Sequence, residues 1–439
     1  MLKVCKFGGT SLADAAAMEG VAQILLADKT RRFIIVSAPG KRSKDDTKVT
    51  DMLYACAAEA RTTGSCKASF AAIAKRFKDI VAELKLKVDI DKHLNMIQET
   101  IDANKGDSDY AASRGEYLSA VIMAARLGYP FVDAVSCIKY KDNGALDSEL
   151  TNELTSKALL AHKYAVIPGF YGSMSDGRVR TFSRGGSDIT GSIVARAVEA
   201  DLYENWTDVD GFLVADPRIV SEPKMIDTLS YRELRELSYM GAQVLHSEAV
   251  FPVRAGNITI EIKNTFSPEK QGTRIVASES YDTSGKVITG IAGKKNFSAI
   301  TIEKEMMNNE LGFCRRVLSV CEEEGVSIEH IPTGIDTMCL IIETSLIKGK
   351  EEKLLSKMQS VTDADRINLS GDMALIAIVG HGMEKKMGTA ARLTSVIANA
   401  GINIRMIDQG SSELNIIVGI NNADYEKCVS VIYKEFLEN

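Results

Sequence analysis

The chain has 439 residues, of which 45% are hydrophobic and 26% charged, an ordinary globular composition on a length that calls for two or three domains. Its formal net charge of −6 argues against a nucleic-acid partner, which would require a basic face. No stretch approaches the ~20 consecutive apolar residues of a membrane helix.

Residues Met1 to Ser11 run at once through glycines, without the apolar core of a signal peptide, so a cytoplasmic protein is expected. The eight cysteines form neither a Cys-x-x-Cys pair nor a His-linked cluster. They read as reduced core residues, and no zinc site or other protein-held metal is expected.

Along residues 1–265, short apolar strands alternate with amphipathic helical stretches. The strand candidates are Leu2–Phe7, Phe33–Ser37, Phe131–Asp133, Ala165–Pro168, Leu202–Trp206 and Ile258–Lys263. Between them, Asp14–Ala27 and Gly191–Ala200 carry apolar residues at three- and four-residue spacing. This alternation implies an α/β layer fold with a mostly parallel sheet. Residues 67–105 read as a charged helical insertion whose inner stripe is Phe77, Ile80, Leu84, Leu94, Ile97 and Ile101. Residues 266–285 have the turn-rich texture of a linker.

An internal repeat follows. Leu311–Val320 resembles Met387–Val396, with Gly312 falling on Gly388 at an offset of 76 residues. The same offset lays Gly325–Ile328 on Gly401–Ile404 and Leu340–Ile342 on Ile416–Val418. Two units are expected, 286–365 and 366–439, each βαββαβ with helices on one face of an antiparallel sheet. Paired units cover each other's sheet edges, which suits a module for effector binding or assembly.

Several motifs could carry chemistry. Lys6-Phe7-Gly8-Gly9-Thr10-Ser11 follows a strand and precedes a helix, an arrangement in which close backbone approach and free N–H groups suit an anion. It fits neither the P-loop nor the dinucleotide fingerprint. Ser183-Arg184-Gly185-Gly186-Ser187-Asp188 opens a second helix, with Ser187 or Asp188 as candidate N-cap and Arg184 as a carboxylate clamp. Thr207-Asp208-Val209-Asp210-Gly211-Phe212 with Ala215-Asp216-Pro217-Arg218 places an acidic turn and an arginine after a strand, as at a nucleotide site on a sheet edge. Ser113-Arg114-Gly115-Glu116 begins an apolar helical run.

In this order, and together with Val36-Ser37-Ala38, Gly169-Phe170 and Gly241–His246, these segments resemble those of aspartate kinases, whose chains also end in two ACT repeats. The resemblance covers essentially the whole chain. It implies an amino-acid-kinase-like three-layer α/β sandwich followed by two ferredoxin-like ACT domains. It also implies ATP-dependent phosphorylation of the aspartate β-carboxylate, the first step toward lysine, threonine and methionine. By this similarity Arg184 holds the α-carboxylate, Glu116 and Asp188 receive the ammonium, Thr50 and Ser187 add hydrogen bonds, and Phe170 walls the pocket. Lys6, Gly8, Gly9, Thr10, Ser11, Thr207, Asp208, Phe212, Arg218 and Gln243 would face ATP, with Lys6 and Asp188 at the reacting centre.

Aspartate's side chain, with a pKa of about 4, is already an anion at neutral pH, so the reaction needs charge neutralisation and no general base. Mg²⁺ would arrive on the nucleotide phosphates. Met307, Gly312, Phe313, Ser327, Ile328 and Glu329 match the family's effector region, for lysine or threonine, and the repeats would assemble a homodimer or homotetramer. Three positions depart from the family pattern: Gln243 stands where a lysine is usual, Leu213 replaces a frequent tyrosine, and Gly334-Ile335-Asp336 replaces a Ser-Glu pair. They keep two other readings open, a kinase for another acidic amino acid and a catalytically silent amino-acid sensor.

Overall fold

The computed structural model describes residues 1–183, 185–242, 244–277 and 285–438, with backbone only at 247 and 385. Two compact units emerge. The first comprises Met1–Phe212, Met225–Leu234 and Gln243–Tyr281, the second Leu213–Lys224, Arg235–Ala242 and Asp282–Asn439. The second therefore takes in two pieces that precede the expected boundary at 265. Main-chain pairing explains one of them, because the Ile291 amide donates to the Val214 carbonyl at 2.7 Å.

In the first unit, β1 (Lys3–Phe7), β2 (Arg31–Val36), β3 (Ala165–Pro168), the hairpin β4 (Tyr171–Ser173) and β5 (Val179–Thr181), β6 (Leu202–Thr207), β7 (Thr228–Ser230), β8 (Ile260–Asn264) and β9 (Thr273–Val276) are the strands. Seven of them form one sheet in the order β3-β2-β1-β6-β8-β9-β7. All its pairings are parallel except β8 with β9. β9 lies inside the stretch expected to be linker; its alternating Thr273 and Ile275 are fully buried, so that segment completes the sheet. Phe131–Asp133 makes only an isolated bridge, Phe131 to Val166.

The helices of this unit include α1 (Ala15–Ala27), α2 (Val49–Thr63), α3 (Lys67–Glu83), α4 (Ile90–Ala103), α5 (Ser108–Leu127), α6 (Ala134–Cys137), α7 (Ser148–Leu160) and α8 (Gly186–Ala197). α3 and α4 form the expected insertion, and Phe77, Ile80, Leu94, Ile97 and Ile101 are buried in one apolar cluster with α1, α2 and α5. α8 starts five residues before the expected Gly191. Gly185, not Ser187 or Asp188, is its N-cap, held at φ 58° with no side-chain capping bond, a left-handed conformation that glycine adopts without a Cβ penalty.

Strand alternation sorts the sheet's two faces. Because Cys5, Lys6 and Phe7 of β1 lie in register with Glu204, Asn205 and Trp206 of β6, Cys5, Phe7, Glu204 and Trp206 share one face. Phe7 stacks on Trp206 with ring centroids 5.7 Å apart. Glu204, also buried, accepts from Arg31 Nε at 2.7 Å and from the Trp206 indole at 2.9 Å, and pairs with Lys3 at 3.0 Å. Burial would push its carboxyl up, but Arg31 and Lys3 hold it below its ordinary value. All eight cysteines are free thiols. Among the described residues no helix is long and apolar enough to cross a membrane.

The second unit contains one five-stranded sheet, not two separate ones. Its strands β10 (Gly290–Glu303), β11 (Thr337–Glu343), β12 (Arg366–Val379), β13 (Met406–Asp408) and β14 (Asn415–Asn421) run in the order β11-β10-β12-β14-β13. The merger comes from two 14-residue strands that each serve both repeats. The first half of β10 pairs with residues 375–379 of β12, and its second half with β11 and residues 366–370, with a register shift between Lys294 and Phe297. Helices Phe313–Glu323 and Thr389–Asn399 occupy equivalent places, each preceded by a left-handed glycine, Gly312 or Gly388.

Replacing Arg31 by Met leaves Glu204 buried with only part of its compensating charge. Arg31→Met is expected to lower stability by about 3 kcal/mol, read as a lower urea midpoint with an unchanged m-value.

Candidate active site

Because β1, β2, β3, β6 and β8 are parallel neighbours, their carboxyl ends open on one edge, the usual ligand crevice of an α/β sheet. The Gly8-Gly9 turn, Ser37-Ala38, Gly169-Phe170 and the segment starting at Thr207 lie in loops leaving that edge or at their start, whereas Thr50 lies in α2 and Gly241–His246 follows the helix Tyr231–Tyr239. The Gly8-Gly9 turn is fixed from two sides. Gly8 N donates to the Trp206 carbonyl at 3.0 Å, and Gly40 N to the Gly9 carbonyl at 2.7 Å. A Cβ on Gly9 would stand 2.9 Å from the Ala38 carbonyl, and one on Gly40 2.6 Å from the Gly9 carbonyl carbon, so the loops after β1 and β2 can touch only as glycines.

Ser11 is buried and its hydroxyl lies 2.7 Å from Thr265 Oγ1, tying this turn to the end of β8. Thr10 is exposed. The expected open helix N-terminus after the turn is different in kind. Thr10–Leu12 forms one 3₁₀ turn, and α1 begins on Asp14, whose carboxylate accepts from Ala17 N. That helix end is already occupied by an acid.

Lys6 reaches from the other sheet face toward α8. Its ammonium meets Asp188 Oδ1 at 2.7 Å, both side chains being nearly buried. The same carboxylate oxygen accepts from Asn205 Nδ2 at 2.9 Å. Ser187 packs against the β3 loop so closely that a Cβ on Gly169 would lie 2.7 Å from its Oγ.

Phe170 sits at φ 79°, a conformation costly for an aromatic residue, about 1–3 kcal/mol. Two bonds hold it there: its amide donates to Thr190 Oγ1 at 3.1 Å, and its carbonyl accepts from Phe182 N at 2.9 Å.

Glu116, in α5, is buried, and its Oε2 has no hydrogen-bond partner among the described residues. Burial pushes its carboxyl up to about 8, against opposing pulls from the Ala38 backbone and the Arg114 charge. Arg114 is itself buried among the rings of Tyr110, Tyr117 and Tyr171. Gly115 brings α5 against Ala38 and Val49, which places Glu116 beside the first turn of α2, where Thr50 is half-buried. Thus Glu116, Ala38, Gly9 and Thr50 belong to one neighbourhood, and Lys6 of β1, Ser187 and Asp188 of α8 and Phe170 after β3 to another.

Thr207 is half-buried at the end of β6, and its hydroxyl donates to the exposed Asp208 at 3.2 Å. Phe212 is completely buried, with its amide donating to Thr273 Oγ1 at 2.9 Å. Its ring is core, not a wall for nucleotide. Arg218 belongs to the second unit and pairs with Asp216 at 2.6 Å. Arg184 and Gln243 lie outside the described residues.

In the second unit Met307 and Phe313 are buried in an apolar core with Val317, Met338 and Leu340. Gly312 is the left-handed cap of the following helix. Ser327 is exposed, Ile328 and Glu329 are half-buried, and Glu329 N donates to the Ile341 carbonyl at 2.9 Å.

Two supporting residues lie outside every sequence motif. Arg76, a buried arginine in the α3 insertion, donates to the Ala13 carbonyl at 2.7 Å and to the Gly40 carbonyl at 2.5 Å, bracing both loops of the glycine turn. Asn205 is the other. A buried Arg at an apolar helix position is a readable anomaly; a single Asn within a strand is not.

A parallel-sheet crevice with a lysine–aspartate pair beside a glycine turn, joined to a duplicated regulatory fold, defines an amino acid kinase followed by ACT repeats. The amino acid kinase family model matches residues 1–264 and an ACT domain model residues 376–436. Aspartokinase 3 of Bacillus subtilis is 40% identical over 453 residues, spanning 99% of this chain and 98% of that protein. The crystal structure of Clostridium acetobutylicum aspartate kinase superposes with a TM-score of 0.92 at 48% identity, over 100% of both chains. Escherichia coli aspartokinase III, solved with aspartate and ADP, gives 0.79 at 25% identity over 100% of both chains. The same enzyme solved with lysine and aspartate gives 0.75 at 26% identity over 99% of both. The chain belongs to the aspartokinase family.

The raised carboxyl of Glu116 has a stability consequence. Between the ordinary value of 4.5 and about 8 the folded protein keeps a proton that the unfolded chain has lost, so this group's contribution to stability falls as pH rises through that window. Glu116→Gln removes the dependence. It is expected to unfold at a higher temperature than the wild type at pH 8.5, with the difference shrinking toward pH 4.5, by calorimetry across that range.

Proposed function

We infer that the chain transfers the γ-phosphoryl group of MgATP to the β-carboxylate of L-aspartate, forming aspartyl 4-phosphate and ADP, under control of an amino acid bound by its ACT repeats. The observation that carries this reading is the Lys6–Asp188 pair at 2.7 Å beside a glycine turn built for close approach.

An aspartate oxygen forms the new P–O bond as the bond from the γ-phosphorus to the bridging oxygen of ADP breaks. Both partners are anions, so positioning and fixed positive charge are what the protein has to supply. Lys6 is placed to meet the phosphates, with the Gly8 and Gly9 backbone free of side chains around them. The uncapped N-terminus of α8 adds backbone N–H groups of the sign an anion needs.

Asp188 presents a carboxylate to the substrate ammonium, Glu116 a buried carboxyl that gives up its proton as the ammonium binds, and Arg184 supplies the clamp for the α-carboxylate. The Oε2 of Glu116 has no donor among the described residues, a need an ammonium would satisfy. Thr50, Ser187 and the rigidly held Phe170 bound the pocket. Thr207 and Asp208, at the end of β6, are placed for the nucleotide. Mg²⁺ enters with ATP as part of the substrate and neutralises its phosphates; among the described residues no group of three His, Cys, Asp or Glu side chains would hold it alone.

Lysine or threonine is the proposed effector. Its site would be formed around Ser327, Ile328 and Glu329, with paired repeats from two or more copies in a cytoplasmic homo-oligomer. Binding shifts activity by as much as its affinity differs between active and inactive states.

With aspartate, MgATP and hydroxylamine, the wild type is expected to yield aspartyl hydroxamate. Lys6→Met should lower kcat/KM by about 10²–10³-fold and, by leaving the nearly buried Asp188 without its cation, also lower the thermal midpoint. Absence of hydroxamate from the wild type across metals and pH would overturn the assignment. Separate calorimetric titrations with lysine and threonine are expected to give saturable binding for at least one of them, weakened by Glu329→Ala.

A further inference from the structure

We propose that Asn205 is a positioning residue for aspartate binding: it fixes the carboxylate of Asp188 from the neighbouring strand. This rests on the reading of Asp188 as part of the ammonium site. Lys6 of β1 and Asn205 of β6 are register partners, so their side chains rise side by side from the same sheet face toward the first turn of α8. Both converge on a single atom, Asp188 Oδ1, at 2.7 Å from Lys6 Nζ and 2.9 Å from Asn205 Nδ2. The amide orientation follows from chemistry, because an ionised carboxylate only accepts and the group facing it must be NH₂.

Tyr203, two residues earlier on the same face, completes the frame. Its hydroxyl lies 3.3 Å from Asn205 Nδ2 and donates to the Asp188 main-chain carbonyl at 3.2 Å. Side chain and backbone of Asp188 are thereby held from one strand. Asn205 is 1% exposed, and a buried amide is costly unless its hydrogen bonds are made. An apolar residue would fill this strand position at lower cost, so the amide is explained by what it does for Asp188.

The arrangement loads one carboxylate oxygen with two donors and leaves Oδ2 for the incoming ammonium. It also separates two duties. When phosphate draws Lys6 away, Asp188 keeps a neutral donor that does not compete for the nucleotide, so the ammonium site stays formed while the lysine serves the phosphates.

The experiment compares steady-state kinetics of Asn205→Leu, which keeps the bulk without a donor, and Asn205→Thr, which keeps a hydroxyl donor. For the Leu variant KM for aspartate is expected to rise about tenfold, with KM for ATP within twofold and kcat within threefold of the wild type; the Thr variant should fall between. A purely structural asparagine would move both KM values together, or neither, in a protein that still folds, and either result overturns the proposal. If the Leu variant does not fold, the Thr variant decides by the same split, an unchanged aspartate KM counting against. A wild type without aspartate-dependent ATP turnover would instead sink the underlying assignment.

Discussion

The ion pair between Lys6 and Asp188 is the interaction on which the site is built. A lysine on a central strand is expensive to bury alone, and here the cost is offset by a carboxylate on the first turn of the helix that packs over the same face. Strand alternation makes this possible. With Cys5 and Phe7 turned to the opposite face to pack with Glu204 and Trp206, Lys6 has one direction left, and α8 brings Asp188 to meet it. The opposite face carries its own buried charge, Glu204 with Arg31 and Lys3, so the two strands at the centre of the sheet are pinned by ion pairs on both sides.

Around this pair the protein holds groups in states they would not choose in water. Phe170 is kept in a left-handed conformation by Thr190 and by the Phe182 amide. Glu116 is kept buried with an oxygen that has no partner among the described residues. Both are local costs that a surrounding structure must over-determine. The close contacts among Gly9, Ala38 and Gly40 belong to the same logic, since a polyphosphate can approach backbone amides only where side chains are missing.

The regulatory unit solves a different problem. Two repeats that each lack a covered sheet edge are fused through the long strands β10 and β12, so that each repeat borrows a strand half from the other. The interior of the first repeat is filled in part by Met307 and Phe313, while Ser327 lies exposed.

Much of this was legible in the sequence. The alternation of strand and helix fixed the class of the first unit, the 76-residue offset revealed the duplication, and the order of short motifs identified the family. Those features are local or periodic, and local chemistry is what a sequence displays directly. Register and burial are not local. That Thr273–Val276 is a strand and not a linker, that Phe212 is core, and that Arg76 braces the glycine turn all depend on partners distant in the chain. The clearest case is Asn205: its role comes from lying in register with Lys6 about 200 residues away, and the sheet alone decides that neighbour.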